Sequence, residues 1–190
     1  DLGGGTFDVS IVEMFDGIVE VRASAGDNRL GGDDFNQVML QLMEPQLGEG
    51  AAAALASLSP DRRKAMLNLA AEKARRALSD QAEAEFAVTI GDERFAATAS
   101  GEAFEEAAQG LIKRLRDPVI RSLRDSGIDL KGLSEIVLVG GATRMPVVRK
   151  ALTRMFGRFP NHSVHPDHAV ALGAAVQAGL LAKDGGLDEI

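Results

Sequence analysis

Three consecutive glycines, Gly3-Gly4-Gly5, stand between two carboxylates, Asp1 and Asp8, with the hydroxyl of Thr6 beside them. Glycine adopts φ > 0 at little cost and lets a ligand come close to the main chain. A tight turn of this composition aims successive N–H groups into one concavity, a nest suited to phosphate. Carboxylates flanking a phosphate site repel the anion unless a cation stands between them. The pattern therefore implies Mg²⁺ together with a nucleotide. An ordinary glycine-rich hairpin turn would use the same residues, so the loop alone does not choose.

Two further sets of residues bear on the choice. Glu72, Arg75, Arg76 and Ser79 recur at i, i+3, i+4 and i+7, which places them on one stripe of a helix. Taken alone, such a stripe is a solvated helix face. Gly140-Gly141-Ala142-Thr143-Arg144 follows the apolar run Ile136-Val137-Leu138-Val139, the mark of a strand buried on both faces. Open α/β sheets hold ligands at the carboxyl ends of their strands, which is where this second glycine pair falls. His162, His165 and His168 invite a metal reading. Pro166 breaks any common helical face and no cysteine or carboxylate pattern completes a site, so they read as polar loop residues.

The elements that position these groups follow from periodicity. Phe7-Val9-Ile11 and Val19-Val21-Ala23 alternate with polar residues, giving two half-buried strands, Phe7 to Met14 and its partner, joined at Asp16-Gly17. A helix should follow Gly31-Gly32, with Asp33 or Asp34 capping it and Phe35, Val38, Met39, Leu42 and Met43 inside. Pro45 and Gly48 interrupt it, and residues 49–59 are of low complexity, compatible with a weak helix or a connection. Ser59-Pro60 opens the helix that carries Glu72 to Ser79, with Ser59 as cap. Glu85–Ile90 and Arg94–Thr98 around Gly91-Asp92 read as a short second hairpin. Ser100 starts one long helix to about Ser126, kinked at Pro118, and Pro146 opens another. The last helix starts near Asp167 and is rich in small residues, so it is expected to approach the sheet closely; the tail Lys183–Ile190 reads as loose.

This order gives an α/β domain with an inserted α+β subdomain. Residues 1–48 with 128–190 form the α/β part and residues 49–127 the insert. The chain has 190 residues, no cysteine and a net charge of −7. Residues 1–50 hold ten acids against two arginines, which disfavours nucleic acid as a partner. No apolar run reaches the roughly 18 residues of a membrane span. The absence of cysteine excludes disulfides and thiolate metal sites and fits a reducing, cytoplasmic setting. A start at Asp1, inside a strand, reads as a piece of a longer protein.

Together these motifs resemble one family. Asp1–Asp8 looks like the second phosphate loop of the DnaK-type heat-shock chaperones, members of the actin-like ATPase superfamily with its ribonuclease H-like fold. Glu72-Lys73-Ala74-Arg75-Arg76-Ala77-Leu78-Ser79 resembles their adenosine-contacting helix, and Val137 to Pro146 the loop that closes on the nucleotide. Lesser matches are Gly26-Asp27 with Leu30-Gly31-Gly32-Asp33-Asp34-Phe35, and Pro166-Asp167 with Gly173-Ala174-Ala175-Val176-Gln177. The short second hairpin and residues 18–35 look most like the bacterial HscC branch.

The resemblance implies a lobe of an ATP- or ADP-binding domain with Mg²⁺ and K⁺. Gly3, Gly4, Gly5 and Thr6 would hold the phosphates, and Asp1 and Asp8 would face the ions through water. Glu72 and Arg75 would reach the ribose and Ser79 the adenine edge, while Arg76 and Arg144 would stack on the base. Gly140 and Gly141 would approach the sugar and α-phosphate, and Asp167 would sit near the adenine. The family often has Lys where this chain has Arg75, and Ser or Gln at Ala142. The family's first phosphate loop, lysine and catalytic acid would belong to a first lobe, so this chain alone is expected to be catalytically inactive. In the full-length protein the implied partners are that first lobe, a J-type co-chaperone and a peptide-binding domain. Rival readings are a lobe of another superfamily ATPase, such as a sugar kinase or filament-forming relative, and a pure interaction module.

Overall fold

The computed structural model describes residues 1–16, 18–161 and 165–182. Strands β1 (Phe7–Phe15) and β2 (Ile18–Asp27) pair antiparallel, with Phe7 opposite Asp27 and a register shift between Ile11 and Val12. Helix α1 (Gly32–Met43) follows, then a 3₁₀ turn (Glu44–Leu47), α2 (Gly48–Ala56) and α3 (Pro60–Ala77). A second hairpin, β3 (Glu83–Ile90) and β4 (Glu93–Ser100), leads into α4 (Gly101–Ala107) and α5 (Gln109–Ser126). A 3₁₀ turn (Gly141–Arg144), α6 (Pro146–Phe156) and α7 (Ala169–Leu181) complete the described chain.

Helix α1 shows how sequence becomes local structure. The Asp34 carboxylate accepts from the Gly31 N–H at 2.8 Å, and the acids of the first turn complement the helix dipole. Phe35, Met39 and Met43 then fall on one face and are completely buried against α3, α4 and the second hairpin. Leu55 of α2, Leu67 of α3, Phe86 of β3 and Leu115 of α5 extend the same core. Residues 49–59, ambiguous in sequence, are mostly helical because Ala51 and Leu55, one turn apart, are buried together.

Helix α5 lies along both strands of the first hairpin. The tie is polar as well as apolar: Ser122 Oγ lies 3.1 Å from the Val9 carbonyl and 3.0 Å from the Pro118 carbonyl. Ser122 is fully buried. Ser122→Ala leaves one of these carbonyls without its partner and is expected to destabilise the fold by about 1–2 kcal/mol, read from the midpoint of urea unfolding.

Several expectations are corrected. The long helix is interrupted at Ala108, between α4 and α5, where the Leu111 N–H makes an i→i+3 bond to the Ala108 carbonyl at 3.0 Å; Pro118 lies buried within α5. Ser59 makes no side-chain cap to α3. Residues 136–139 do not form a regular strand, and Val137 is exposed with one parallel bridge to Asn161. The backbone beside them belongs to Asp1-Leu2, which gives only the Leu2 N–H to the Val139 carbonyl at 2.9 Å before the glycine loop turns away. A ladder cannot propagate from so short a partner. Without that strand, the small-residue helix α7 finds no sheet to approach; it starts at Ala169 and has no buried residue.

The outer half of the first hairpin is also exposed on both faces, with Met14 and Phe15 more than three-quarters open to solvent. Asp16 takes φ of 49° at its turn. Gly17, His162 and the tail Lys183–Ile190 lie outside the described residues. Among the described residues no helix is long and apolar enough to cross a membrane.

Candidate functional site

The glycine loop is held by backbone on two sides. Gly3 N–H donates to the Thr6 carbonyl at 3.0 Å, closing the turn. Gly32 N–H then donates to the Gly3 carbonyl, and Asp33 N–H to the Gly4 carbonyl, both at 2.8 Å. On the other flank Ala142 N–H donates to the Leu2 carbonyl at 3.2 Å. With the carbonyls of Gly3 and Gly4 bound behind the loop, no described residue accepts a hydrogen bond from the N–H of Gly4 or Gly5. Both residues are exposed. These are the donors an anion requires.

Glycines distant in sequence make this packing possible. A Cβ on Gly31 would overlap the Gly4–Gly5 peptide, and one on Gly140 would overlap the Leu2 carbonyl and the Asp1 carboxylate. Gly140 also takes φ of 87°, a conformation that L side chains rarely adopt.

The loop forms one end of a cleft of about 630 Å³. Gly3, Gly4 and Gly32 line that end; Glu72, Arg75, Arg76 and Ser79 line the α3 wall; Gly141, Arg144 and Asp167 line the opposite wall. Residues that the sequence places far apart are therefore brought together. Gly5 and Thr6 lie beyond the lining, and Gly140 supports the wall from behind.

The arginines are held in different ways. Arg76 Nη2 pairs with Glu72 Oε1 at 2.8 Å one turn away, and Arg144 Nη2 pairs with Asp167 Oδ2 at 2.8 Å. Exposed pairs of this kind contribute about 0–1 kcal/mol, so their main effect is to orient the guanidinium planes. Arg75 departs from the solvated stripe expected of it. It is buried, and its Nε donates to Asn36 Oδ1 at 2.7 Å. Burial lowers its affinity for its proton, which Glu72 and Asp33 partly restore. Its Nη2 lies beside Gly32, toward the glycine loop.

Sequence reasoning missed Asn36, which a signal could have revealed. It shares the inner face of α1 with Met39, Leu40 and Met43, and a polar residue there needs a buried partner. Asp80 and Arg149 also line the cleft without having been singled out, as do Asp33, expected only as a helix cap, and Ala142, noted where the family often has Ser or Gln. Four arginines and four carboxylates meet there, making it neutral in a chain of net charge −7.

Asp1 and Asp8 face each other through reciprocal backbone bonds, Asp8 N–H to the Asp1 carbonyl at 2.8 Å and the Asp1 amine to the Asp8 carbonyl at 2.7 Å. Their carboxylates lean apart, Asp1 toward Gly140 and Asp8 toward Gly26. No described group of three or more His, Cys, Asp or Glu is placed to hold a metal. Hard oxygen donors spread in this way fit a hydrated ion better than a directly chelated one. Asp8 also borders a second cleft beside Asp27 and Arg114. There the Arg29 N–H, followed by the Arg114 guanidinium, holds the Asp27 carboxyl below the usual carboxylate range.

Comparison with known proteins places these features among relatives. The profile of the Hsp70 protein family matches residues 1–190. The chain is 46% identical over its whole length to the chaperone protein HscA homolog of Bordetella pertussis, covering 30% of that protein. It is 44% identical to the chaperone protein dnaK3 of Thermosynechococcus vestitus, over 97% of this chain and 28% of the relative. It is 41% identical to the chaperone protein DnaK of Deinococcus proteolyticus, over 100% of this chain and 31% of the relative. The chain thus spans less than a third of the length of these relatives.

Proposed function

The chain belongs to the Hsp70 family, and on that premise we propose that it is the second lobe of a chaperone's ATPase domain, binding adenine nucleotide in the 630 Å³ cleft. One observation carries the proposal: three separated stretches converge there, with free N–H groups at one end and paired arginines at the other. The phosphates lie against Gly3 to Thr6, and Arg75 reaches the ribose. Adenine lies between Arg76 and Arg144, where flat guanidinium planes stack on a base as an ammonium cannot. Glu72 meets the ribose, Ser79 and Asp167 the base edge, and Gly140 and Gly141 the sugar and α-phosphate. Mg²⁺ and K⁺ sit in water near Asp1 and Asp8, and Mg²⁺ supplies neutralisation of the phosphate charge.

Hydrolysis belongs to the full-length protein, where a first lobe supplies the lysine and catalytic acid, and it drives peptide binding and release with a J-type partner. A cytoplasmic location and the HscC branch are part of the proposal, the latter resting on the resemblance of the short second hairpin and residues 18–35. The division of the lobe into residues 1–48 with 128–190, and an insert 49–127, is part of the same proposal; α5 ties the two parts by packing on β1 and β2.

Arg76→Lys or Arg144→Lys keeps the charge and loses the plane. In the full-length protein either change is expected to weaken ADP and ATP alike by about tenfold, roughly 1.4 kcal/mol, in calorimetric titration. Single-turnover hydrolysis of saturated protein should change little, because uniform binding was removed. Intact ADP affinity with slowed hydrolysis would refute the adenosine assignment of α3.

A further inference from the structure

Arg144 Nη2 serves two partners at the edge of the cleft. It donates to Asp167 Oδ2 at 2.8 Å and meets His165 Nε2 at 3.3 Å. A guanidinium has only donors, so the second contact requires Nε2 to be the unprotonated nitrogen of His165, with the proton on Nδ1. The His165 ring stacks on His168, with centroids 4.1 Å apart and planes inclined by 18°. The turn carrying both rings is fixed in place. The N–H groups of His168 and Ala169 donate to the His165 carbonyl at 3.1 Å, and Gly140 N–H donates to the Pro166 carbonyl at 3.0 Å. Gly141 packs closely on the Asp167 carboxylate: a Cβ there would lie 3.1 Å from Asp167 Oδ1, tighter than ordinary van der Waals contact. Thus the histidine turn and the 141–144 turn form one unit, from which the Arg144 side chain reaches into the cleft.

We propose that His165, backed by His168, is a positioning residue for Arg144 that makes adenine-nucleotide affinity fall as the solution becomes acidic. This rests on the nucleotide reading given above. Neutral His165 accepts from Arg144 and, with Asp167, fixes the guanidinium at the cleft wall. Imidazole gains its proton within the range pH 5 to 8. Protonation turns Nε2 into a donor, removes the acceptor from Arg144 and places one cation against another. His168, stacked on the same ring, adds a second positive charge when it protonates. Asp167 is the carboxylate paired with Arg144. The other charged groups lining this cleft are Arg149 on α6, Asp33 on α1, Asp80, and Arg75, Arg76 and Glu72 on α3, with Arg76 already paired to Glu72. All three members of the contact are exposed, so water and salt moderate the effect without reversing its sign.

The test uses the full-length protein, titrated calorimetrically with Mg·ADP at pH 8.0 and pH 5.5. ADP itself takes up a proton in this interval, so the readout is the affinity of the wild type relative to His165→Asn at each pH. Asparagine keeps an acceptor but does not titrate. The wild type is expected to lose about fivefold more affinity than His165→Asn on acidification. At pH 8.0 His165→Ala should bind more weakly than His165→Asn, because only the latter can still hold Arg144. An equal acid loss in wild type and His165→Asn overturns the proposal. A second measurement separates it from the nucleotide reading: the Arg144 Nε–Hε NMR signal of the ligand-free protein. That signal should shift between pH 8.0 and 5.5 in the wild type and stay nearly fixed in His165→Asn. If ADP fails to bind at either pH but the signal shifts as described, the nucleotide reading falls and the positioning contact stands. If the wild-type signal does not shift, the positioning contact falls.

Discussion

Gly140→Ala is expected to destabilise the fold by about 3 kcal/mol and to remove nucleotide binding with it. Two costs add at this position. The residue holds φ of 87°, where an L side chain is strained, and its new methyl group would overlap the Leu2 carbonyl and the Asp1 carboxylate. The Asp1 carboxylate could swing aside, but the Leu2 carbonyl is backbone and cannot. Relief requires the backbone at 140 to move away from Leu2, breaking the bond from the Ala142 N–H to the Leu2 carbonyl that ties the two loops. Urea unfolding should show a lower midpoint with an unchanged slope. Gly4→Ala is the control, because a Cβ there meets nothing within 4 Å. Its midpoint should move by less than about 0.5 kcal/mol while phosphate-bearing ligands bind more weakly. Equal midpoints for Gly140→Ala and the wild type would contradict the close approach of the two loops.

Asn36→Leu is expected to cost about 2–3 kcal/mol, although leucine has the branching and heavy-atom count of asparagine and suits a helix better. Arg75 is 7% exposed and its Nε has Asn36 Oδ1 as its acceptor, so the change leaves a desolvated cation short of a partner. Removing the cation as well should recover part of the loss, and the double variant Asn36→Leu with Arg75→Met should be more stable than Asn36→Leu alone. A ribose hydroxyl accepting from Arg75 should also recover part of it, so the destabilisation should shrink in saturating Mg·ADP. Additive costs in the double variant would show that the two side chains do not interact.

How much could be read from the sequence depended on how local the cause was. Helices α1, α3 and α6 were legible because their apolar residues recur with the helical period and their ends carry glycine, proline or acids. The cleft was legible as motifs: the glycine loop, the Glu72–Ser79 stripe and Gly140–Arg144 line one space, although nothing in their local patterns fixes their distances. Tertiary causes were less visible. Arg75 belongs to a polar stripe by spacing, yet packing of α3 on α1 buries it against Asn36, which periodicity alone treats as a misplaced polar residue. Ile136–Val139 has the composition of a buried strand, but a strand exists only where a neighbour supplies a ladder. The exposure of α7 follows from the same missing ladder. The interruption at Ala108 carries no proline or cap signal in the sequence, so one continuous helix is the natural reading there.

The central claim is that adenine nucleotide spans the cleft from the glycine loop to the two arginines. Titration of ¹⁵N-labelled protein with Mg·ADP, followed by amide and arginine Nε–Hε signals, tests it most directly. The account predicts saturable shifts at Gly4, Gly5, Arg76 and Arg144 with one common dissociation constant, in the millimolar range for this lobe alone. Shifts confined to the exposed β1–β2 hairpin, or different constants for the glycine and arginine ends, would contradict it.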